Sequence, residues 1–500
     1  MTRQCDYFIL GSGISGMTLA LLFASSGSKV ILAERANTFG GAMQRFRRNG
    51  VPMDTGFHFT GGMTGCFGDM LEMLGIADDI KTLKLKQQIY FSNSGKCIEL
   101  PPGLDALEEY LCKTYPEQKS GIEAYFRCER KVYEQTPLFH LDSELALYDG
   151  LPDLDEDYIT LDAFLDQHNI HGELRGILCA VCSCHGTPPG EISFANHARI
   201  HYGLSHDPLR IERGGEAVVE AFLRRAEELG ITLLKNSTVK SWSEADARGN
   251  IHSAEMSDGS VITFENLIFT QHPKEILQML PPDRCKESFV RRVHDLEDTC
   301  GFFTWYGVLD EDVEGFEEVL CSCLSSPDLN EILSPENLSE HTAGFVCSFE
   351  EKSDGSRCRC VTAFQNVFPE ETAQFADSCV GKRPDGYKLY KEQRAQEIQK
   401  LLFRIFPHFQ GKIKEINTAS MLTFRDYLYS SGSAYGVKQK LGQENIFGRL
   451  PVRNFYTSSQ SSILPGAVGS MLTALILFRI LAGEEKYRMV LGKIKRRLLA

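Results

Sequence analysis

Apolar and polar positions at the start of the chain spell out a strand, a turn and a helix in immediate succession. Tyr7-Phe8-Ile9-Leu10 is a short unbroken apolar run, the pattern of a strand buried on both faces. Gly11-Ser12-Gly13-Ile14-Ser15-Gly16 interrupts it, and residues 17–24 continue as an apolar-rich helix. A second strand is predicted over residues 29–33 and ends at Glu34, 18 residues beyond Gly16. Strand, glycine turn, helix, strand and acid, in this order and spacing, predict a dinucleotide-binding fold. Each position has a physical task. Gly11 permits the tight turn, Gly13 lets the backbone approach a pyrophosphate, and Gly16 lets helix and strand pack closely. Ser12 and Ser15 complete the turn, and the helix N-terminus offers unpaired N–H groups and a positive dipole end to phosphates. Glu34 would accept hydrogen bonds from ribose hydroxyls and repel a 2′-phosphate.

The same alternation returns later. Arg213-Gly214-Gly215-Glu216-Ala217 introduces a helix over residues 218–229, and residues 231–234 read as a strand. Ser237-Thr238-Val239 opens another, and residues 251–256, 261–264 and 266–270 alternate as further strands between turns at Arg248-Gly249-Asn250 and Asp258-Gly259. Near the C-terminus, Asn454-Phe455-Tyr456-Thr457 reads as a strand. Leu464-Pro465-Gly466-Ala467-Val468-Gly469-Ser470-Met471 then opens an apolar helix reaching Leu481. The expected architecture is α/β: a discontinuous Rossmann-type domain (residues 1–100, 212–289 and 443–500) with an interleaved α+β substrate domain (residues 101–211 and 290–442).

Glu34-Arg35 is followed by Phe39-Gly40-Gly41-Ala42-Met43 and then by Asp54-Thr55-Gly56-Phe57-His58-Phe59 with Gly61-Gly62. These segments resemble the flavin-dependent amine oxidase and phytoene desaturase superfamily. The second is similar to the branch containing the all-trans-retinol 13,14-reductases. Thr423-Phe424-Arg425-Asp426-Tyr427 and Gly432-Ser433-Ala434-Tyr435-Gly436 are similar to a segment of the carotenoid isomerase and retinol reductase branches. The resemblance implies FAD as resident cofactor, with Glu34, Arg35, Gly41, Ala42, Met43 and His58 along it. It implies a backbone contact from Val239 to the adenine end. Gln460, Val468, Gly469 and Met471 would lie against the isoalloxazine ring, where a helix N-terminus stabilises an anionic reduced flavin.

The implied reaction is hydride transfer to or from a carbon of a long apolar polyene or isoprenoid, in the saturating direction of the retinol reductases. Desaturation and cis–trans isomerisation are the alternatives within that chemistry. A non-redox prenyl carrier of the GDP-dissociation-inhibitor type is the alternative from another class. His58 and Tyr435 are the candidate proton donors, since saturating a double bond needs a proton beside the hydride. No second glycine turn stands between a strand and a helix. Electrons are therefore expected from a transiently bound NADPH or from another partner.

Composition narrows the remaining classes. The 500 residues leave room for about three domain-sized units. Apolar residues at 42% and charged residues at 24% exclude a disordered chain, a coiled coil and a fibre. A net charge of −14 lacks the basic footprint of a nucleic-acid binder. Sixteen cysteines are too few for a disulfide scaffold, and with no secretory or membrane-spanning segment the expected location is the cytoplasm, with reduced thiols. The tail Lys493-Ile494-Lys495-Arg496-Arg497-Leu498-Leu499 is a candidate peripheral contact with anionic lipid.

His197 and His201, with Cys182, Cys184, His185 and His206 nearby, have neither HExxH nor paired CxxC motifs, so no metal site is expected. Arg425-Asp426 reads as a structural pair. Gly301-Phe302-Phe303-Thr304-Trp305-Tyr306-Gly307 reads as an aromatic strand, either plain core or a tunnel wall.

Overall fold

The computed structural model describes residues 2–148, 153–310, 313–336, 342–428 and 431–494. The opening run forms the strand Thr2–Leu10, followed by the helix Ile14–Ser25 and the strand Val30–Ala33. Thr2–Leu10 lies at the centre of an eight-stranded sheet, between Val261–Phe269 and Val30–Ala33, parallel to both. Thr232–Leu234 extends one side in parallel, and Phe455–Thr457 joins the other, pairing Leu267 with Phe455. Val239–Trp242 and Ser253–Met256 add an antiparallel ribbon. Residues 261–264 and 266–270, expected as two strands, are one continuous strand that keeps a single register with Thr2–Leu10. Glu265 and Asn266 break the apolar run without breaking the ladder, because they sit where the strand reaches the surface.

The helix Gly466–Ala482 is buried through its middle, from Gly469 to Leu475 and at Leu477 and Phe478, and reaches the surface at Ile480. It packs on Ile14–Ser25, with Phe478 edge-on to Phe23 at 5.1 Å between ring centres. The following helix, Glu484–Leu491, turns Tyr487 and Val490 into the same core, and the Tyr487 hydroxyl donates to the Ala146 carbonyl at 2.9 Å. That face is therefore not available to lipid; residues 495–499 of the expected lipid-contacting tail lie outside the described residues. Among the described residues no helix is long and apolar enough to cross a membrane.

The second sheet has seven strands in the order Ile413–Ala419, Gly301–Leu309, Arg357–Val367, Ala343–Glu351, Val319–Leu324, Lys86–Phe91, Lys96–Leu100. Its last two strands correct the expected first boundary at residue 100. Lys86–Phe91 runs parallel to Val319–Leu324, so this hairpin belongs to the second sheet. A hairpin's own alternation is the same whichever sheet it joins; only the tertiary pairing decides. Helices between residues 104 and 206 build a separate core around Tyr125, Phe126, Phe164 and Phe194. On the strand Gly301–Leu309 alternate residues divide the two expected roles. Phe303 and Trp305 are buried in the core, whereas Phe302 and Thr304 line the cavity described next.

Candidate functional site

A cavity of about 590 Å³ runs from the glycine turn to the second sheet. Its first wall is the turn itself. Gly11 has φ +97°, and a Cβ on Gly16 would stand 2.0 Å from the Gly11 carbonyl oxygen, so both glycines are required by the fold. Gly13 differs. Its backbone is ordinary (φ −62°), and a Cβ there would meet no atom within 4 Å. It caps the helix Ile14–Ser25 and lines the cavity, so the volume a side chain would fill is the volume a phosphate needs. The Ser15 hydroxyl is committed elsewhere: it donates to the Ser458 carbonyl at 2.8 Å, tying this helix to the C-terminal loop. In the Gly40-Gly41 pair, Cβ atoms would strike Val219 at 2.5 Å and Gly13 at 3.0 Å. These glycines let protein segments approach each other.

Glu34 is buried at the end of its strand. The Ser12 N–H and hydroxyl donate to Oε2 at 3.0 and 2.6 Å, and the Ala36 N–H donates to Oε1 at 2.9 Å. The carboxylate is thereby fixed in orientation: Oε2 already accepts two bonds, and Oε1 keeps capacity for one more. Arg35, Gly41, Ala42, Met43 and Val239 join Glu34 along the cavity. Arg35 is half-exposed and engages Glu275 and the Leu428 carbonyl. Gln460, Val468 and Gly469 line the opposite end, at the start of the helix Gly466–Ala482. Gly16 and Met471 do not line the cavity; Met471 points into the core one turn further along the helix.

His58 and Tyr435 both reach the cavity, joined by a continuous aromatic wall. His58 stacks on Phe364 (5.2 Å, 16°), Phe364 meets Phe302 (5.6 Å), and Phe302 meets Tyr435 edge-on (6.0 Å). Burial holds the Tyr435 phenol protonated well above its usual range. Burial also drives His58 down to about 4; Asp54 pulls it upward, but Arg210 and Arg45 oppose that pull. The imidazole is therefore neutral at pH 7, and its Nδ1 has no hydrogen-bond partner, with Asp54 Oδ2 3.9 Å away.

Beneath His58 lies a buried quartet that sequence reading missed. Arg45 binds Asp54 (2.6 Å) and Glu350 (2.7 Å), and Arg210 binds the second oxygen of each acid at 2.6 Å. Burial alone would raise the Asp54 carboxyl; the two guanidiniums overturn this and hold it at about 2. The Tyr306 hydroxyl donates to the Asp54 carbonyl at 2.8 Å. Arg45 and Asp54 face each other on one short hairpin, whereas Arg210 and Glu350 come from 156 and 296 residues beyond Asp54, and only the Asp54 segment carried a signal. Arg425 and Asp426 pair as expected, with Arg383 as a further partner of Asp426.

The family of NAD(P)-binding Rossmann-like domains matches residues 9–74. All-trans-retinol 13,14-reductase from Macaca fascicularis is 23% identical over 95% of this chain and 85% of its own length. Its homologues are oxidoreductases. A 4,4′-diapophytoene desaturase from Staphylococcus aureus (strain MRSA252) is 21% identical over 61% of this chain and 63% of its own. Among solved structures, an oxidoreductase from Methanosarcina mazei superposes with a TM-score of 0.66 over 96% of this chain and all of that one, at 13% identity. The Rossmann match and these relatives point to a dinucleotide cofactor of the flavin type.

Proposed function

We propose that the chain is an FAD-dependent oxidoreductase that saturates a carbon–carbon double bond of a long apolar polyene or isoprenoid. The observation that carries this reading is one cavity with two chemistries. A dinucleotide cradle at Gly13 and Glu34 opens onto an apolar wall of Phe364 and Phe302, flanked by His58 and Tyr435. The cradle fits FAD: Gly13 leaves room that a Cβ would fill, Glu34 is fixed as an acceptor for ribose hydroxyls, and the Gly466–Ala482 helix starts at the far end. Bound there, FAD would supply the hydride.

The chain's own residues do the rest. The aromatic wall binds the polyene and excludes water, and Phe302 fixes the Tyr435 ring edge-on. Tyr435 keeps its proton and is the first candidate to deliver it to the carbon adjoining the one that receives hydride. His58, neutral, can donate through a ring N–H and is the second candidate; its stacking on Phe364 orients it toward substrate or cofactor. NADPH visiting the open cavity, or another reductant, would renew the hydride, and the tail would supply any contact with lipid. The extent of the match to retinol reductase favours saturation over desaturation and isomerisation.

The test is an anaerobic visible spectrum after FAD reconstitution and desalting, followed by NADPH and then by a polyene. A retained flavin band that NADPH bleaches and the polyene restores supports the reading. A retained band that NADPH leaves untouched and a polyene bleaches would replace saturation by desaturation. No retained flavin would overturn the redox reading in favour of a prenyl carrier.

A further inference from the structure

Cys182, His185 and His197 form a cluster that the redox reading does not use. The helix Gly172–Cys179 tightens into the turn Ala180–Cys184, and the chain reverses at Gly186 (φ +70°). The helix Phe194–His206 then returns across it and sets His197 over the turn. All three side chains are fully buried. Cys182 Sγ, His185 Nε2 and His197 Nδ1 lie within 4.8 Å of one another. Sγ to Nδ1 is 3.7 Å, and Nε2 to Nδ1 is 3.5 Å.

Those separations have a specific meaning. A tetrahedral ion with metal–sulfur bonds of about 2.3 Å and metal–nitrogen bonds of about 2.1 Å sets its S···N edges near ~3.6 Å and N···N edges near ~3.4 Å. The two edges that meet at His197 Nδ1 have this spacing already, and the Cys182–His185 pair lies within 4.8 Å. The other nitrogen of His197, Nε2, lies 3.2 Å from the Leu178 carbonyl and 3.1 Å from the Tyr125 hydroxyl. A carbonyl partner there fixes the tautomer that leaves Nδ1 free as a ligand, the usual outer-sphere arrangement for a metal-bound histidine. Cys179 precedes Cys182 by one Cys-x-x-Cys step and is equally buried, but it stands outside this set of three, so the protein supplies three donors and leaves the fourth position to a non-protein ligand.

Without a metal the same atoms are poorly matched. His197 Nδ1 offers one in-plane lone pair, yet the Cys182 thiol and the His185 Nε2–H both converge on it, each at long range. Coordination relieves this convergence. It moves the His185 proton to Nδ1 and gives up one long bond, from the Thr187 N–H at 3.3 Å. His201 is not part of the set: its Nδ1 pairs with Glu129 at 2.7 Å and its Nε2 with Ser205 at 3.0 Å.

We propose that Cys182, His185 and His197 bind a zinc ion that pins the Ala180–Cys184 turn to the helix Phe194–His206. This reverses the expectation of no metal, and it is independent of the redox reading. Ser183 and Cys184 of the same turn line the cavity beside Tyr435, so the ion would brace that wall without touching the substrate.

The test is metal analysis of untagged protein, followed by chelation and titration of the apo form with zinc and with cobalt(II). About one zinc per chain is expected. The cobalt form should show a thiolate-to-metal charge-transfer band and intense tetrahedral ligand-field bands. Cys182→Ser and His185→Ala should each weaken zinc binding by about 100-fold or more, and Cys182→Ser, which removes the thiolate, should abolish the charge-transfer band. Cys179→Ser, which lies outside the set, should leave both zinc affinity and the charge-transfer band unchanged. Failure of the wild-type protein to bind zinc, or zinc bound equally well by Cys182→Ser, would overturn the proposal.

Discussion

Replacing Asp54 by Asn would leave Arg45, Arg210 and Glu350 with one uncompensated positive charge in a buried place. Side-chain exposure in the quartet is 5% or less, so solvent screens little of the loss. Breaking a buried ion pair from one side costs about 3–5 kcal/mol. Titration gives a second route to the magnitude. A carboxyl at about 2 in the folded chain, against roughly 3.9 unfolded, contributes about 2.6 kcal/mol. Because the folded value is the lower one, this stability is fully present above about pH 4 to 5 and is lost as pH falls toward 2. About half has gone at pH 3.

Urea unfolding followed by tryptophan fluorescence measures this directly, because the chain's two tryptophans report different sheets. Trp242 lies in the first sheet and Trp305 in the second. At pH 7 Asp54→Asn should lose about 3 kcal/mol, and Trp305 should report it, since Glu350 belongs to the second sheet. The gap from wild type should shrink below about pH 4. Adding Arg45→Met leaves the balanced Arg210–Glu350 pair and should restore part of the loss. A loss under about 1 kcal/mol, or one that does not change with pH, would refute the electrostatic account of the quartet.

Three further outcomes follow from the cavity. Gly13→Ala should fold with stability within about 1 kcal/mol of wild type yet retain at least about tenfold less flavin, whereas Gly16→Ala should lose about 2–3 kcal/mol because its Cβ meets backbone; melting curves and desalted spectra separate the two. Tyr435→Phe should slow olefin reduction in single turnover by about 100-fold or more with flavin retention unchanged, and an unchanged rate would remove Tyr435 as proton donor. With His58 titrating at about 4, the ring should show no protonation step between about pH 6 and 8 by NMR, and a step near 6.5 would contradict its burial beside two guanidiniums.

What could be read in the sequence shares one property: it is local. The turn from Gly11 to Gly16, the strands flanking it, Glu34 and the glycine at the start of the Gly466–Ala482 helix are short-range patterns whose residue types are dictated by backbone geometry. What could not be read depends on which distant segments meet. The hairpin over residues 86–100 alternates like any other, and its membership of the second sheet rests on pairing with Val319–Leu324. Arg45 and Glu350 are 305 positions apart and look like ordinary surface charges until the fold buries them together.

Even within the local signals, individual side chains take roles that their motif does not specify. Ser15 and Met471 stand in the expected motifs, yet one side chain braces a loop and the other fills the core, because a motif specifies the backbone path more tightly than each side chain's partner. His58 shows the consequence for chemistry. Its position beside the cavity was legible, but its charge state was not, since that depends on Arg210, which approaches from 152 residues away. A proton donor read from sequence therefore becomes a neutral imidazole in the fold. That moves the weight of proton delivery to Tyr435, whose burial keeps it protonated where the substrate wall ends.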